Sequence, residues 1–329
     1  MKKGQNPSAV PSCFSHKTQK KGQFNFVWMF AIIAGGAILV LAIYGATKMG
    51  DTQRFQTDTE IAKSLAIITD PLQAGFAEGS FGKISFRQET RINNICLDGN
   101  FGRHKISVST MSDVGKEWNI PGEEVPIHNK YIFSSERTSG KEYYVFSKPF
   151  KFPYKVADLT ILISQDYCLV DAPEEIAEEV NFNINKIRVG NCSDDGLINV
   201  CFGVGNNCDI SVYGSCMSGC DSVYDEGVVE KPGKIMKYVG NLMWAAIFSD
   251  DDIYECNVNR LMYRTGKIAE EFVDKADLMD ARGCNTNLNP DLVVWYGLTI
   301  NASVDDLMSL NSMAKLLERK NDGEGCGIW

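Results

Sequence analysis

Residues 24–47 read FNFVWMFAIIAGGAILVLAIYGAT, 24 positions without one charge. As an α-helix rising ~1.5 Å per residue the stretch reaches roughly 36 Å, enough to cross a hydrocarbon core of ~30 Å with some tilt. A helix satisfies its own backbone polar groups there, where no water can do so. Phe24, Phe26, Trp28 and Phe30 crowd one end and Tyr44 stands near the other, as rings do at the two membrane interfaces. A cleaved signal peptide has a shorter apolar region of ~7–15 residues and an A-x-A-like site. A cut after Ala46 would instead put Tyr44 at that site's second small position. The reading is a retained, single-pass transmembrane helix over 23–47.

Orientation follows from charge. Residues 1–21 carry Lys2, Lys3, Lys17, Lys20 and Lys21 and no acid, whereas Lys48, Arg54 and Lys63 beyond the helix mix with Asp51, Asp58 and Glu60. The lysine excess marks a cytoplasmic N-terminus, which leaves the C-terminal body outside the cell membrane. Setting those five lysines aside leaves 28 basic against 42 acidic residues, a net of −14. That surface repels phosphate backbones and anionic lipid heads, which excludes nucleic acid as a partner and fits a soluble ectodomain.

Cysteine placement agrees. Cys13 stands alone before the helix, and Cys96, Cys168, Cys192, Cys201, Cys208, Cys216, Cys220, Cys256, Cys284 and Cys326 all follow it. Ten is an even number, and an exterior is where disulfides persist. Connectivity is not readable. The competing reading is a zinc site on Cys208, Cys216 and Cys220, which would require an inverted, cytosol-facing topology. Structural zinc favours C-x2–4-C pairs, and no CxxC occurs.

Inside the helix, Ala31, Gly35, Gly36, Ala42 and Ala46 place small residues at helical spacing. Small residues let membrane helices approach closely, so a homo-oligomer or a membrane-protein partner through this helix is an expectation beside the lipid bilayer itself. Just before it, Lys20-Lys21-Gly22-Gln23 runs straight into the apolar segment. This entry resembles the class III signal peptide of archaeal type IV pilin-like proteins, which a peptidase cuts on the cytoplasmic side. The resemblance covers about 25 residues and departs from pattern at Val27, where those proteins usually carry glutamate. With the anchor and the cysteine-rich exterior, the chain is similar to archaeal envelope proteins, a resemblance that implies no activity.

The rest of the chain divides by period. Residues 1–22 are a polar tail with too little apolar content to fold. Ile61, Leu65, Ile68 and Leu72 form one helical stripe, and 48–78 is read as a membrane-proximal stalk helix stopped near Pro71 and Gly75. Over 79–170, runs at 83–88, 105–110, 142–147 and 157–164 are rich in β-branched and aromatic residues between glycine and proline turns. They predict about six strands in a mostly antiparallel sheet, with 148–153 (KPFKFP) a rigid edge turn. Residues 171–329 are read as a cysteine-rich α+β part. Asp171 is expected to cap a helix completed by Glu174, and 197–204 and 209–213 to be short strands. Pro232 is expected to open a helix with Ile235, Val239, Met243 and Ala246 on one face. Ser249-Asp250-Asp251-Asp252 reads as a serine cap with three carboxylates on the positive end of a helix dipole; the spacing of a calcium loop is missing. Ile253, Leu261, Thr265, Ile268, Phe272, Ala276 and Met279 then keep one helical face to Gly283. A short helix after Asn289-Pro290 and an amphipathic one from Ser303 to Gly323 follow. The fold class is therefore α+β: one N-terminal transmembrane helix, an antiparallel β-rich part, and a mainly helical, disulfide-rich remainder.

Chemistry is thinly signposted. There is no G-x-S-x-G, H-E-x-x-H or P-loop, and Gly203-Val204-Gly205 lacks the third glycine and the helix of a dinucleotide fingerprint. No cofactor is implied. The first expectation is a non-catalytic surface protein of structural, adhesive or pilus-like assembly type. The alternative is a tethered extracytoplasmic hydrolase whose acid and base would be His104 or His128 with Glu123 or Glu124. Asn191-Cys192-Ser193 and Asn301-Ala302-Ser303 fit the N-glycosylation acceptor pattern, which short triplets also meet by chance.

Overall fold

The structure, a computed structural model, describes residues 26–68, 81–112, 115–181, 186–190, 192, 196–205, 207–215, 222–284, 286–323 and 325–329. Two compact units divide the chain, 1–52 and 53–329. Helix α1 (Phe26–Ile68) is a single 43-residue helix. Its segment Phe26–Ala46 has a mean hydropathy of 2.6, so it is long and apolar enough to cross a membrane, and none of it is buried.

The second unit is built on two six-stranded sheets. The first has the order β3-β2-β1-β5-β6-β4, from β1 (Phe81–Leu97), β2 (Arg103–Thr110), β3 (Val125–His128), β4 (Tyr131–Phe133), β5 (Arg137–Lys151) and β6 (Lys155–Ile163). Every pair is antiparallel except β4 with β6, close to the expected sheet. Both of its faces are buried, and the period of two sorts them. Tyr144 and Phe146 of β5 enter one core with Leu159, Ile161 and Ile163 of β6, while Tyr143, Val145 and Leu162 enter another with Ile92, Ile106 and Val108.

That second core is closed by α1. Ala62 is fully buried in it and Ile61 packs at its side. Oδ1 of Asp58 accepts from the Thr110 hydroxyl at 3.1 Å, and Thr59 Oγ1 accepts from the Glu123 N–H at 3.0 Å. A Cβ on Gly122 would sit 2.8 Å from the Thr59 backbone nitrogen, so only glycine admits the helix this close. The apolar stripe expected on this helix thus packs at Ile61. The side chains of Leu65 and Ile68, and Leu72, lie outside the described part.

The second sheet is mixed, ordered β12-β11-β10-β9-β7-β8, from β7 (Tyr167–Val170), β8 (Ile187–Val189), β9 (Ile198–Phe202), β10 (Ile210–Gly214), β11 (Glu226–Lys231) and β12 (Lys234–Val239). β7 runs parallel to β8 and β9, and β9 to β10. Helix α2 (Glu174–Asn181) lies between β7 and β8 in the chain, as a parallel pair requires of its crossover. β9 and β10 are the short strands expected at 197–204 and 209–213.

Three local expectations are corrected. The helix expected from Pro232 is instead a hairpin: Pro232 and Gly233 (φ +77°) turn β11 into β12, which pairs antiparallel with it. Met236 and Tyr238 point inward while Ile235 is 66% exposed, so the alternation of two outweighs the coincidental 3.6-residue match. Ser249 caps nothing ahead of it. It ends helix α3 (Leu242–Phe248), its hydroxyl donating to the Ala245 carbonyl at 2.6 Å. The next helix, α4 (Asp251–Ala281), has Asp250 at its N-cap without a side-chain cap bond; Asp250 Oδ2 accepts from the Glu136 N–H at 2.8 Å instead. Asp171 likewise takes φ +55° in a turn, and α2 starts only at Glu174.

Every residue of α3 is buried, because it touches both sheets. Its Phe248 ring meets Phe146 of the first sheet at 5.8 Å and Tyr167 of the second at 4.8 Å, both edge to face. One continuous apolar cluster therefore runs from Tyr131 through both sheets to Leu317 and Ile328, across the border expected at residue 170. Helices α5 (Asn289–Thr299) and α6 (Leu307–Gly323), joined through the 3-10 turn Val304–Asp306, complete it. Ser303 forms a capping box with Asp306 ahead of the amphipathic helix expected there.

Candidate functional site

Eight of the ten expected cysteines form four cystines. Cys96–Cys256 ties the end of β1 to the first turns of α4, and Cys168–Cys192 ties β7 to the chain beyond β8. Cys201–Cys208 closes the β9–β10 connection, and Cys284–Cys326 holds the C-terminal tail to the end of α4. Cys216 and Cys220 lie outside the described residues, as do Cys13 and the 20–23 entry. The zinc reading loses Cys208, whose sulfur is bonded to Cys201 and is no thiolate ligand. Among the described residues no group of three His, Cys, Asp or Glu is placed to hold a metal ion.

The most concentrated polar chemistry lies where the first sheet meets α4. Asn94 of β1, His104 of β2, and Asn257 and Arg260 of α4 are all fully buried. His104 Nδ1 lies 2.7 Å from Asn94 Oδ1, and Nε2 lies 2.9 Å from Asn257 Oδ1 and 3.2 Å from the Ile132 N–H. Two carbonyl oxygens facing one ring would suit an imidazolium. Burial and then the Arg260 guanidinium oppose that charge and lower the His104 pKa to about 3, so the ring is neutral. With the Ile132 N–H directed at Nε2, its proton sits on Nδ1 and is donated to Asn94. Asn257 Oδ1 is satisfied from the other side by Arg260 Nη1 at 2.8 Å.

Arg260 spends its fork on carbonyl oxygens. Nε donates to Phe101 and Nη2 to Lys130, at 2.9 and 2.8 Å, and the guanidinium lies 4.7 Å over the Tyr131 ring. Among the described residues no carboxylate pairs with it, and burial lowers its pKa to about 10. The loop at Phe101 fits tightly: Gly102 has φ +53°, and a Cβ there would meet the Leu97 carbonyl oxygen at 2.3 Å and Arg260 Cδ at 2.7 Å. The Cys96–Cys256 bridge borders the same knot, with Cys96 Sγ 3.9 Å from Arg260 Nη1. A histidine so enclosed is a hydrogen-bond hub. It cannot exchange protons with a bound substrate, because no solvent reaches it.

The candidate acid–base set does not converge. His104 is buried in the knot, and His128 is exposed at the end of β3. Glu124 pairs with Lys105 at 2.8 Å, and Glu123 is exposed, its backbone held by Thr59. A shallow groove of about 390 Å³ is lined by Phe101, Asn129, Arg264, Lys267, Glu270 and Glu271, but Lys267 is already taken by Glu270 at 2.8 Å. In α1, Ala31, Gly35, Gly36, Ala42 and Ala46 are exposed, and a Cβ on Gly35 or Gly36 would touch nothing within 4 Å.

Sequence reasoning passed over the knot. Its one available signal is a gap in the α4 stripe: the steps of four from Ile253 to Leu261 pass through Asn257, a buried amide on an otherwise apolar face. These features define a mixed α/β protein with one apolar N-terminal helix and a cystine-linked body. No protein-family model, curated protein or solved structure matches the chain.

Proposed function

We propose that the chain is a single-pass cell-membrane protein, N-terminus inside, whose body lies outside and serves a structural, adhesive or assembly role. The observation that carries this reading is the apolar helix span Phe26–Ala46 preceding a body cross-linked by cystines. Covalent bridges of this kind persist in oxidising compartments. The lysine-only flank before the helix and the net −14 beyond it support the orientation. Burial of His104 removes one of the two histidines from which a hydrolase would be assembled, which favours the non-catalytic role. The pilin-like entry at Lys20-Lys21-Gly22-Gln23 carries no weight here, since it lies outside the described residues. Within this reading the small residues of α1 are the surface for a second copy or another membrane helix.

Protease added to intact cells tests the topology: the body is digested outside, and the same digestion only after lysis would end the reading. Cross-linking on intact cells, followed by identification of what is captured, tests the role. The expected product is a self-adduct or an adduct to another envelope component that weakens when Gly35 and Gly36 become Leu. A chain that stays monomeric and uncross-linked contradicts an assembly role.

A further inference from the structure

We propose that Asn301 is an N-glycosylation site, taking an oligosaccharide from a polyprenyl-phosphate carrier; this rests on the exterior placement proposed above. The triplet Asn301-Ala302-Ser303 meets the acceptor pattern, and the fold puts it where a glycan fits. Asn301 is exposed in the turn between α5 and the 3-10 turn at Val304–Asp306. Ala302, buried beside it, donates its N–H to the Thr299 carbonyl at 3.1 Å and so fixes the turn. The Asn301 amide itself makes no hydrogen bond among the described residues.

A second observation says what the sugar covers. Helix α5 leaves an apolar ledge in solvent: Val293 and Val294 are each 52% exposed and Leu298 46%, with Gly297 open beside them. Val294, Gly297, Leu298 and Asn301 follow one another at steps of three, one and three, the spacing of a single helical face. A saccharide on Asn301 begins at the end of that ledge and can lie back along it, its C–H faces on the valines and its hydroxyls in water. A glycan is a bulky, solubilising group that would shield this ledge from water.

The transfer balances without redox chemistry. Nδ2 of Asn301 attacks the anomeric carbon of the carried sugar. A C–N bond forms, the C–O bond to the carrier phosphate breaks with its electron pair leaving on phosphate, and the amide nitrogen gives up one proton to the transferase. In the folded chain the Ser303 hydroxyl is engaged by Asp306 Oδ2 at 3.0 Å and accepts from the Asp305 N–H at 3.3 Å. The acceptor serine is free only before this cap closes, so transfer takes place during export, ahead of folding. The other acceptor triplet, at 191–193, has its asparagine and serine outside the described residues and is not part of the proposal.

The test uses the full chain purified from the membranes of the cells that make it. It is digested without reductant, and the Asn301 peptide is read by fragmentation mass spectrometry that keeps side-chain modifications. The expected result is a peptide heavier by a whole oligosaccharide, with fragment ions that place the added mass on Asn301. Asn301→Gln abolishes the increment, and Ser303→Thr, which keeps both the acceptor pattern and the cap oxygen, retains it. A wild-type peptide found only at its unmodified mass overturns the proposal. The same digest separates the two failures: an unmodified Asn301 beside an intact Cys284–Cys326 bridge sinks the glycan alone, whereas free thiols there sink the exterior placement as well.

Discussion

Nε2 of His104 lies 2.9 Å from Oδ1 of Asn257, a contact between residues 153 positions apart. With the ring neutral both atoms are acceptors, and they are held this close by the donors between strand and helix, the Ile132 N–H on Nε2 and Arg260 Nη1 on Oδ1, inside a space that water does not enter. Around it the Ile132 carbonyl accepts from the Asn257 amide at 2.9 Å, and the Asn94 amide donates to the Ser134 hydroxyl at 3.0 Å. Buried polar groups so fully paired specify one arrangement of sheet and helix, because any other leaves several of them unpaired at ~1–3 kcal/mol each.

Acid should open this joint. The folded pKa of His104 is depressed to about 3 from an ordinary 6.5, so both folded and unfolded chains carry a neutral ring at pH 7. As the pH falls through 6.5 the unfolded chain gains a proton that the folded one refuses. Stability is therefore full above pH 6.5 and is lost progressively down to about pH 3. At ~1.4 kcal/mol per pH unit the whole window is worth on the order of 4–5 kcal/mol. Carboxylates also titrate there, so the measurement is a difference: urea midpoints of wild type and His104→Gln between pH 7 and 4. The variant should be weaker at pH 7 by about 1–3 kcal/mol and should converge on wild type as the pH drops. Parallel curves would remove His104 as the cause.

Arg260 should tolerate no substitute. Lysine keeps the charge but presents a single nitrogen where the fork now meets Phe101, Lys130 and Asn257, so two carbonyl oxygens lose their donor. Methionine removes the buried charge and orphans all three. We expect losses of about 2–4 kcal/mol for Arg260→Lys and about 3–5 kcal/mol for Arg260→Met, read from urea denaturation at pH 7.5. A change under about 0.5 kcal/mol in either would mean that the loop at Phe101 shifts to recruit water.

These residues also mark where sequence reading ends. The first sheet was legible because 142–147 and 157–164 concentrate β-branched and aromatic residues, and burial on both faces, visible in the unbroken run from Tyr143 to Lys148, only strengthens that signal. α4 was legible from one stripe held over 31 residues. Lys234–Val239 was not: a six-residue strand that meets a buried helix one turn later offers both periods at once, and only pairing with β11 decides. The knot was invisible for another reason. Asn94, His104, Asn257 and Arg260 come from three separate elements, and nothing local to any of them specifies the others. The even set of cysteines forecast bridges, but which partners meet depends on that same long-range packing.

Gly122 should govern how the 55–62 segment of α1 sits on the sheet. Its missing Cβ is what lets the Thr59 backbone approach, and the Gly122 N–H is itself held by the Val108 carbonyl at 2.8 Å. A larger side chain must push the helix away, because the strand beneath cannot yield. Gly122→Val is expected to cost about 1–3 kcal/mol. It should raise amide exchange selectively at Asp58, Thr59 and Ala62 while Phe146 and Leu261 stay protected. Uniform loss of protection would instead mean that the segment is integral to the whole unit.

The bridges offer a test of why they stabilise. In the loop-entropy description the gain grows with the logarithm of the loop closed. Cys96–Cys256 spans 160 residues and Cys201–Cys208 spans 7. Replacing both cysteines by alanine should then cost about 5 kcal/mol for the long bridge and about 2 kcal/mol for the short one. The long bridge also borders the knot, with Arg260 Nη1 3.9 Å from Cys96 Sγ, so its removal loosens packing around the buried guanidinium and adds to the difference. Denaturant midpoints of Cys96→Ala/Cys256→Ala and Cys201→Ala/Cys208→Ala, compared in one buffer, settle the order. If the short bridge proves equal or dearer, loop length is not what matters here. The 201–208 bridge would then be stabilising through its folded-state contacts, which include the close fit of Gly205, where an added Cβ would lie 2.8 Å from Cys208 Sγ.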